Sequence, residues 1–201
     1  MKRIKLTVLV ASVLLIAAAA AQAQEKKMEA PKPGPEVKKL GYFVGTWKSE
    51  GELKENPFGM PAGKYSATDK CDWFEGGFQV VCHSNGKGPS GAMHGLGILA
   101  YNPMDKVYTY YGIDNMGFAE ESKGNVEGNS WTYTSDMKMG DKTYHGRYSM
   151  TTASPDSYTY KYETSEDGTN WTLNMEGKST KAAPATKKTA PAEKPAEKKA
   201  S

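Results

Sequence analysis

Cys71 and Cys82 are the side chains best placed to form a covalent bond, and they are the chain's only cysteines. Gly76-Gly77 stands midway between them, and both glycines tolerate the positive φ of a tight hairpin turn. Folding there sets Trp73 against Val80 and Cys71 against Cys82 on one apolar face. Directly opposed cysteines of an antiparallel pair meet the reach of a disulfide, which an oxidising compartment would close. The alternatives are a redox pair or a metal site, but the C-x-x-C spacing either one calls for is absent.

The remaining chemistry-bearing residues converge less well. His83, His94 and His145 show no H-x-H, H-x-x-x-H or H-E-x-x-H spacing, so no metal site and no cofactor are expected. His145 and Arg147 share one side of their strand, opposite Tyr144 and Tyr148, and read as a solvated outer face. Glu120-Glu121 and Glu166-Asp167 are neighbours in sequence, which on a strand sends the two members to opposite faces rather than into an acid/base dyad. Ser90 in Gly88-Pro89-Ser90-Gly91 lacks the glycine spacing of a nucleophile elbow. The glycines from Gly86 to Gly97 read as a flexible connection, a lid at a barrel mouth. No catalytic residue is assigned, and the expectation is a protein that is not an enzyme. The candidates for lining a ligand cavity are Trp131, Tyr133, Tyr148, Tyr160, Tyr162 and Trp171, which offer stacking surface and hydroxyl donors. Met137, Met150 and Met175 add adaptable apolar surface.

Strands must position these residues. Trp131, Tyr133 and Met137 fall on one side of an alternating run, and Tyr144, Tyr148 and Met150 on one side of the next. Folding about Gly140-Asp141 brings Met137 to Tyr144, Tyr133 to Tyr148 and Trp131 to Met150. Folding about Asp167-Gly168 sets Thr164 against Trp171, Tyr162 against Leu173 and Tyr160 against Met175, which would turn Trp171 and Leu173 inward. For Tyr148 and Tyr160 to share a face, the turn at Ala153-Ser154-Pro155 must hold an odd number of residues. About ten short strands follow a short helical turn at Pro35–Phe43, with no crossover helix among them. Ten strands in an open sheet would leave two long edges, so the expected fold is all-β, an antiparallel up-and-down barrel.

The ends differ in composition from this body. Lys2, Arg3 and Lys5 precede an apolar run from Leu6 to Ala21, and Ala21-Gln22-Ala23 suits cleavage before Gln24. Residues 1–23 therefore read as a signal peptide, leaving no membrane span after cleavage, and the expected address is periplasmic or secreted. Residues 24–39 and 178–201 are rich in Lys, Ala, Pro and Glu, and every Tyr, Trp and Phe lies between Tyr42 and Trp171. Both stretches read as disordered, leaving one barrel domain over residues 40–177. That domain carries 11 Lys and Arg against 18 Asp and Glu, and an acidic body argues against nucleic acid as a partner. The basic tail suits an anionic polymer of the cell envelope.

Leu40 to Trp47, Gly51, Gly76-Gly77-Phe78, Gly95-Leu96-Gly97 with Tyr101, and Asp167-Gly168 with Trp171 resemble the bacterial domain of unknown function 1579. The helical turn leading into Gly45-Thr46-Trp47 is similar to the opening of calycin barrels, the group of lipocalins and fatty-acid-binding proteins. That resemblance implies a barrel whose interior accepts a small apolar or amphipathic molecule, and no activity comes with it. Nitrobindin-type calycins bind haem, yet no haem-ligand motif matches onto His83, His94 or His145. The leading expectation is a non-enzymatic carrier; the alternative is a structural or interaction protein of the envelope that uses its basic tail.

Overall fold

The structure, a computed structural model, describes residues 30–183. The signal-peptide reading, most of the linker and most of the tail lie outside the described residues.

Helix α1 (Pro35–Lys39) opens with proline at its first position, where a missing N–H costs nothing. It continues as a 3₁₀ turn over Leu40–Phe43. Ten strands follow: β1 (Gly45–Leu53), β2 (Gly63–Trp73), β3 (Val80–Gly88), β4 (Gly91–Asn102) and β5 (Val107–Asp114). Then come β6 (Ala119–Glu127), β7 (Ser130–Met139), β8 (Lys142–Ser154), β9 (Ser157–Ser165) and β10 (Thr172–Lys181). Each strand pairs antiparallel with the next, and β10 pairs with β1 to close the barrel. Closure gives every strand a partner on both sides.

The domain is wider than residues 40–177. Residues 35–39, counted with the linker by composition but read as the start of a helical turn from their spacing, are helical: Val37 is buried and the Glu36 carboxylate accepts the Tyr108 hydroxyl at 2.7 Å. Residues 178–181, expected as tail, belong to β10, where Lys178, Ser179, Thr180 and Lys181 pair with Glu50, Ser49, Lys48 and Trp47. Ladder pairing with the first strand overrides a polar composition here.

The Gly140-Asp141 hairpin has the register read from its alternation, with Met137, Tyr133 and Trp131 opposite Tyr144, Tyr148 and Met150. Between β8 and β9 the parity demand is met by a bulge near Ala153, after which Ser154 pairs with Ser157. The connection from Gly86 to Gly97 is not a lid. Strands β3 and β4 run through it to a tight hairpin at Pro89-Ser90, with Gly88 opposite Gly91.

Leu40 and Phe43 drop into one end of the barrel and close it. Leu40 is fully buried, and the Trp47 indole N–H donates to the Phe43 carbonyl at 2.7 Å. The Phe43 ring meets Trp131 edge-on at 5.0 Å, and Tyr108 meets Trp131 at the same distance. Cys71 and Cys82 are opposed across β2 and β3 and are joined as a disulfide, with Cα atoms 4.0 Å apart. Replacing both with serine is expected to lower the unfolding free energy by about 2–3 kcal/mol, the loop entropy a short cross-link removes. Chemical denaturation of the variant beside the parent, with m-values compared, checks this.

Candidate functional site

Strand alternation decides what faces inward. The inner positions hold Tyr65 and Asp69 of β2, Tyr108 and Tyr110 of β5, Glu120 and Ser122 of β6, and Trp131 and Tyr133 of β7. Strands β8 and β9 add Tyr148, Tyr158, Tyr160 and Tyr162. The rings find room because glycines stand beside them. Tyr65 lies over Gly51, Tyr160 over Gly177, Tyr133 over Gly124, Tyr162 over Gly146, and Tyr110 over the cross-strand pair Gly97 and Gly112. Tyr148 stacks on Tyr160 with centroids 5.9 Å apart, and the Tyr65 and Tyr160 hydroxyls bond at 2.5 Å.

The structure therefore places Trp131, Tyr133, Tyr148, Tyr160 and Tyr162 on the inner face. Trp131 sits among the rings that plug the closed end. Trp171 is a correction: it lies on the outer surface, with the Arg147 guanidinium 3.9 Å from its ring centroid. Leu173 is outward too, opposite Glu163, which holds Arg147 in an ion pair at 3.0 Å. A bulge between Leu173 and Met175 shifts the register, so Met175, not Leu173, faces Tyr162. Asn174 occupies the bulge, is buried, and accepts the Thr164 hydroxyl at 2.6 Å.

Two carboxylates belong to the interior: Asp69, which the sequence did not single out, and Glu120, whose inward orientation the sequence left undecided. Asp69 accepts a hydrogen bond from Ser49 at 3.1 Å. Burial raises its pKa, partly offset by the Ser84 and Ser49 hydroxyls. Glu120 accepts from Ser135 at 3.3 Å, and burial raises its pKa against the pull of the Ser135 and Ser122 hydroxyls. The phenols are held in the protonated form: desolvation pushes Tyr110 up to about 12 and raises Tyr65, Tyr133, Tyr148, Tyr158 and Tyr162 as well. The cysteine pair carried the signal for Asp69, which stands two residues before Cys71 and so must share its face.

The other end of the barrel has no helical plug; the β1–β2 loop lies across it, with a pocket opening beside the loop. The Asn56 side chain shapes that loop by accepting from the backbone N–H groups of Phe58 and Met60, at 3.0 and 3.3 Å. The loop presents Phe58 to Phe118 and Tyr144, each with ring centroids 6.3 Å away. Beside this cluster a pocket of about 430 Å³ runs between Asn56-Pro57 and the β9–β10 turn, reaching Thr164 and Asn174 at its floor. Its rim is acidic. Asp167 is held well below the usual carboxylate range by the backbone N–H groups of Asn170 and Thr169, and Glu166 is lowered by Lys142.

The histidines do not converge. His94 contacts Asn85 at 2.9 Å and His145 contacts Asp136 at 2.7 Å, both on the exposed surface. Among the described residues, no group of three or more His, Cys, Asp or Glu could hold a metal ion. Nor is any described helix long and apolar enough to cross a membrane.

A ten-stranded up-and-down barrel, plugged at one end by a helical turn and open at the other, defines a calycin-like protein. The chain belongs to the family described as "Protein of unknown function (DUF1579)", which it matches over residues 32–181. Among solved structures it is similar to Rv2717c from M. tuberculosis, with a TM-score of 0.54 at 12% identity, covering 76% of this chain and 100% of that one. It is also similar to the S-type phycobiliprotein lyase CPES from Guillardia theta, with a TM-score of 0.49 at 10% identity over 74% of this chain and 93% of that one. A designed fluorescence-activating β-barrel gives a TM-score of 0.39 at 13% identity, over 71% and 96% respectively. At such identities the likeness is one of fold alone. Among curated proteins nothing matches the sequence.

Proposed function

We propose that this protein binds a small amphipathic molecule at the open end of its barrel, without transforming it, and that it works as an exported protein. The observation that carries the reading is the pocket of about 430 Å³ beneath the Phe58 loop, a size within the roughly 300–1,000 Å³ of small-molecule sites. Its surroundings are two-sided in character. Pro57 and Tyr144 supply apolar contact, with Phe58 packed against Tyr144 beside the lining, while Asn56, Asn170, Asn174 and Thr164 supply hydrogen-bond partners. The disulfide supports an oxidising compartment, periplasmic or secreted.

Native mass spectrometry of protein purified from its own source tests this. A retained organic adduct, released chemically unchanged, is the expected result. Tyr144→Ala should weaken re-binding of the released compound by about tenfold, the order expected for an aromatic side chain in the lining. A bare protein mass, with no uptake from a source extract, would contradict the reading.

A further inference from the structure

The wall of the barrel is incomplete at one seam. The β6–β7 ladder runs from Glu127 opposite Ser130 to Lys123 opposite Thr134, and there it ends. Strand β6 nevertheless begins at Ala119 and β7 continues to Met139. Toward the open end, Ala119–Ser122 therefore face Ser135–Met139 without ladder pairing. Side chains bridge the seam instead, through the Ser135 hydroxyl on Glu120 at 3.3 Å.

The inner lip of this seam is polar and underused. Ser122 is 2% exposed and stands on the same inward face as Glu120, two residues before it; its hydroxyl lies near enough to pull on that carboxylate but makes no full hydrogen bond. A buried hydroxyl left unpaired costs stability, so its retention points to a partner that arrives from outside. Tyr162 stands on the far side, donating to the Met137 sulfur at 3.6 Å, and its pKa is raised first by burial and then by the Glu120 charge. Tyr110 feels that charge as well. No cation answers it from inside. Between residues 40 and 177 one cation, Lys142, stands at an inward strand position, at the mouth, where Glu166 takes it in an ion pair at 3.0 Å; every other Lys and Arg stands at an outward position, in a turn or in a connecting loop.

We propose that Glu120 and Ser122, at the open β6–β7 seam, receive the cationic head of an amphipathic amine. The proposal rests on the small-molecule reading above and narrows the ligand class. An ammonium group offers three donors and no acceptor, matching a carboxylate and a lone hydroxyl acceptor. The Tyr110 and Tyr162 rings add surface on which a cation can rest. A fatty acid would bring its carboxylate to another carboxylate, and the one inward Lys at this end, Lys142, is already paired with Glu166. The acidic rim, with Glu55, Glu166 and Asp167 around the mouth pocket, attracts the same charge.

Calorimetric titration of the mature protein with n-decylamine, n-decanol and n-decanoate, each below its micellar concentration, tests this. Decylamine should bind about tenfold or more tighter than decanol, and decanoate weakest, as a charge-assisted bond at Glu120 requires. Glu120→Gln should bring decylamine down to the level of decanol while leaving decanol unchanged. Ser122→Ala should weaken decylamine by about tenfold, the loss of one hydrogen bond from a charged donor. Glu121→Gln, on the outward neighbour, should change nothing, and thermal melts of all three variants confirm that each is folded. Decanol binding without a preference for the amine, or an amine preference that survives Glu120→Gln, overturns the head-group site alone. Failure of all three probes to bind overturns the site and the reading beneath it together.

Discussion

Replacing Trp47 with alanine is expected to cost about 3–5 kcal/mol, the range for deleting a buried aromatic side chain. Trp47 is 1% exposed and stands where three parts of the chain meet. Its indole N–H holds the Phe43 carbonyl at the end of the 3₁₀ turn. Its ring packs on Tyr42 at 5.4 Å and on Tyr158 of β9 at 5.0 Å, and the Lys181 ammonium at the end of β10 lies 5.0 Å from its centroid. Removing it loosens the plug from the barrel and also weakens the first and last strands where they join. A domain of this size is stable by about 5–15 kcal/mol in all, so the loss is a large share of the total. Trp47→Phe separates the two contributions: it keeps most of the packing but leaves the Phe43 carbonyl unpaired, at about 1–3 kcal/mol. Urea unfolding followed by far-ultraviolet circular dichroism reads both variants. A Trp47→Ala midpoint within about 1 kcal/mol of the parent would show that the plug is not part of the cooperative unit.

Much of this fold is legible in the sequence where local patterning and turn chemistry agree. The Gly140-Asp141 hairpin carries apolar residues at matching distances on both sides, and a one-residue slip would expose all of them, so its register is strongly specified. The cysteine pair and Gly76-Gly77 give the same answer by independent routes. Trp171 and Leu173 fail for a definite reason. A bulge at Asn174 inserts a residue that the alternation cannot reveal, and it exchanges the faces beyond it. Trp171 then finds Arg147 on the outside, a partner as satisfactory to an indole as a core.

The Gly86–Gly97 stretch misleads differently. Its glycines suggest a loose connection, yet Gly86, Gly88 and Gly97 are inner positions where neighbours press close, as Ala67 does on Gly86. The interior carboxylates were hidden because adjacency said only that Glu120 and Glu121 diverge, not which of them turns inward. That required the register of β5, which sets Tyr110 opposite Ser122 and Gly112 opposite Glu120. The candidate site is thus a property of strands far apart in sequence, whereas the hairpins are local.

Gly177→Val should be nearly as damaging as loss of Trp47, at about 3 kcal/mol or more, the upper end for forcing bulk into a packed interior. Gly177 lies on the seam where the barrel closes, opposite Gly51 on β1 and Tyr160 on β9. A Cβ there would come within 2.5 Å of the Tyr160 hydroxyl and 2.6 Å of the Glu50 carbonyl oxygen. The ring can swing away, but the carbonyl belongs to the β1 backbone and moves only if the strands part. Swinging the ring also breaks the bond between the Tyr160 and Tyr65 hydroxyls, and Tyr65 is itself seated over Gly51. Two rings and two glycines therefore fail together. Tyr160→Phe removes the nearest clashing atom, so it should recover part of the loss in the Gly177→Val background while costing stability on its own. A double-mutant cycle by urea unfolding measures that coupling, expected at about 0.5–3 kcal/mol between touching residues. Strict additivity would mean that the ring and the glycine do not share the space, and that closure of the barrel tolerates a side chain at position 177.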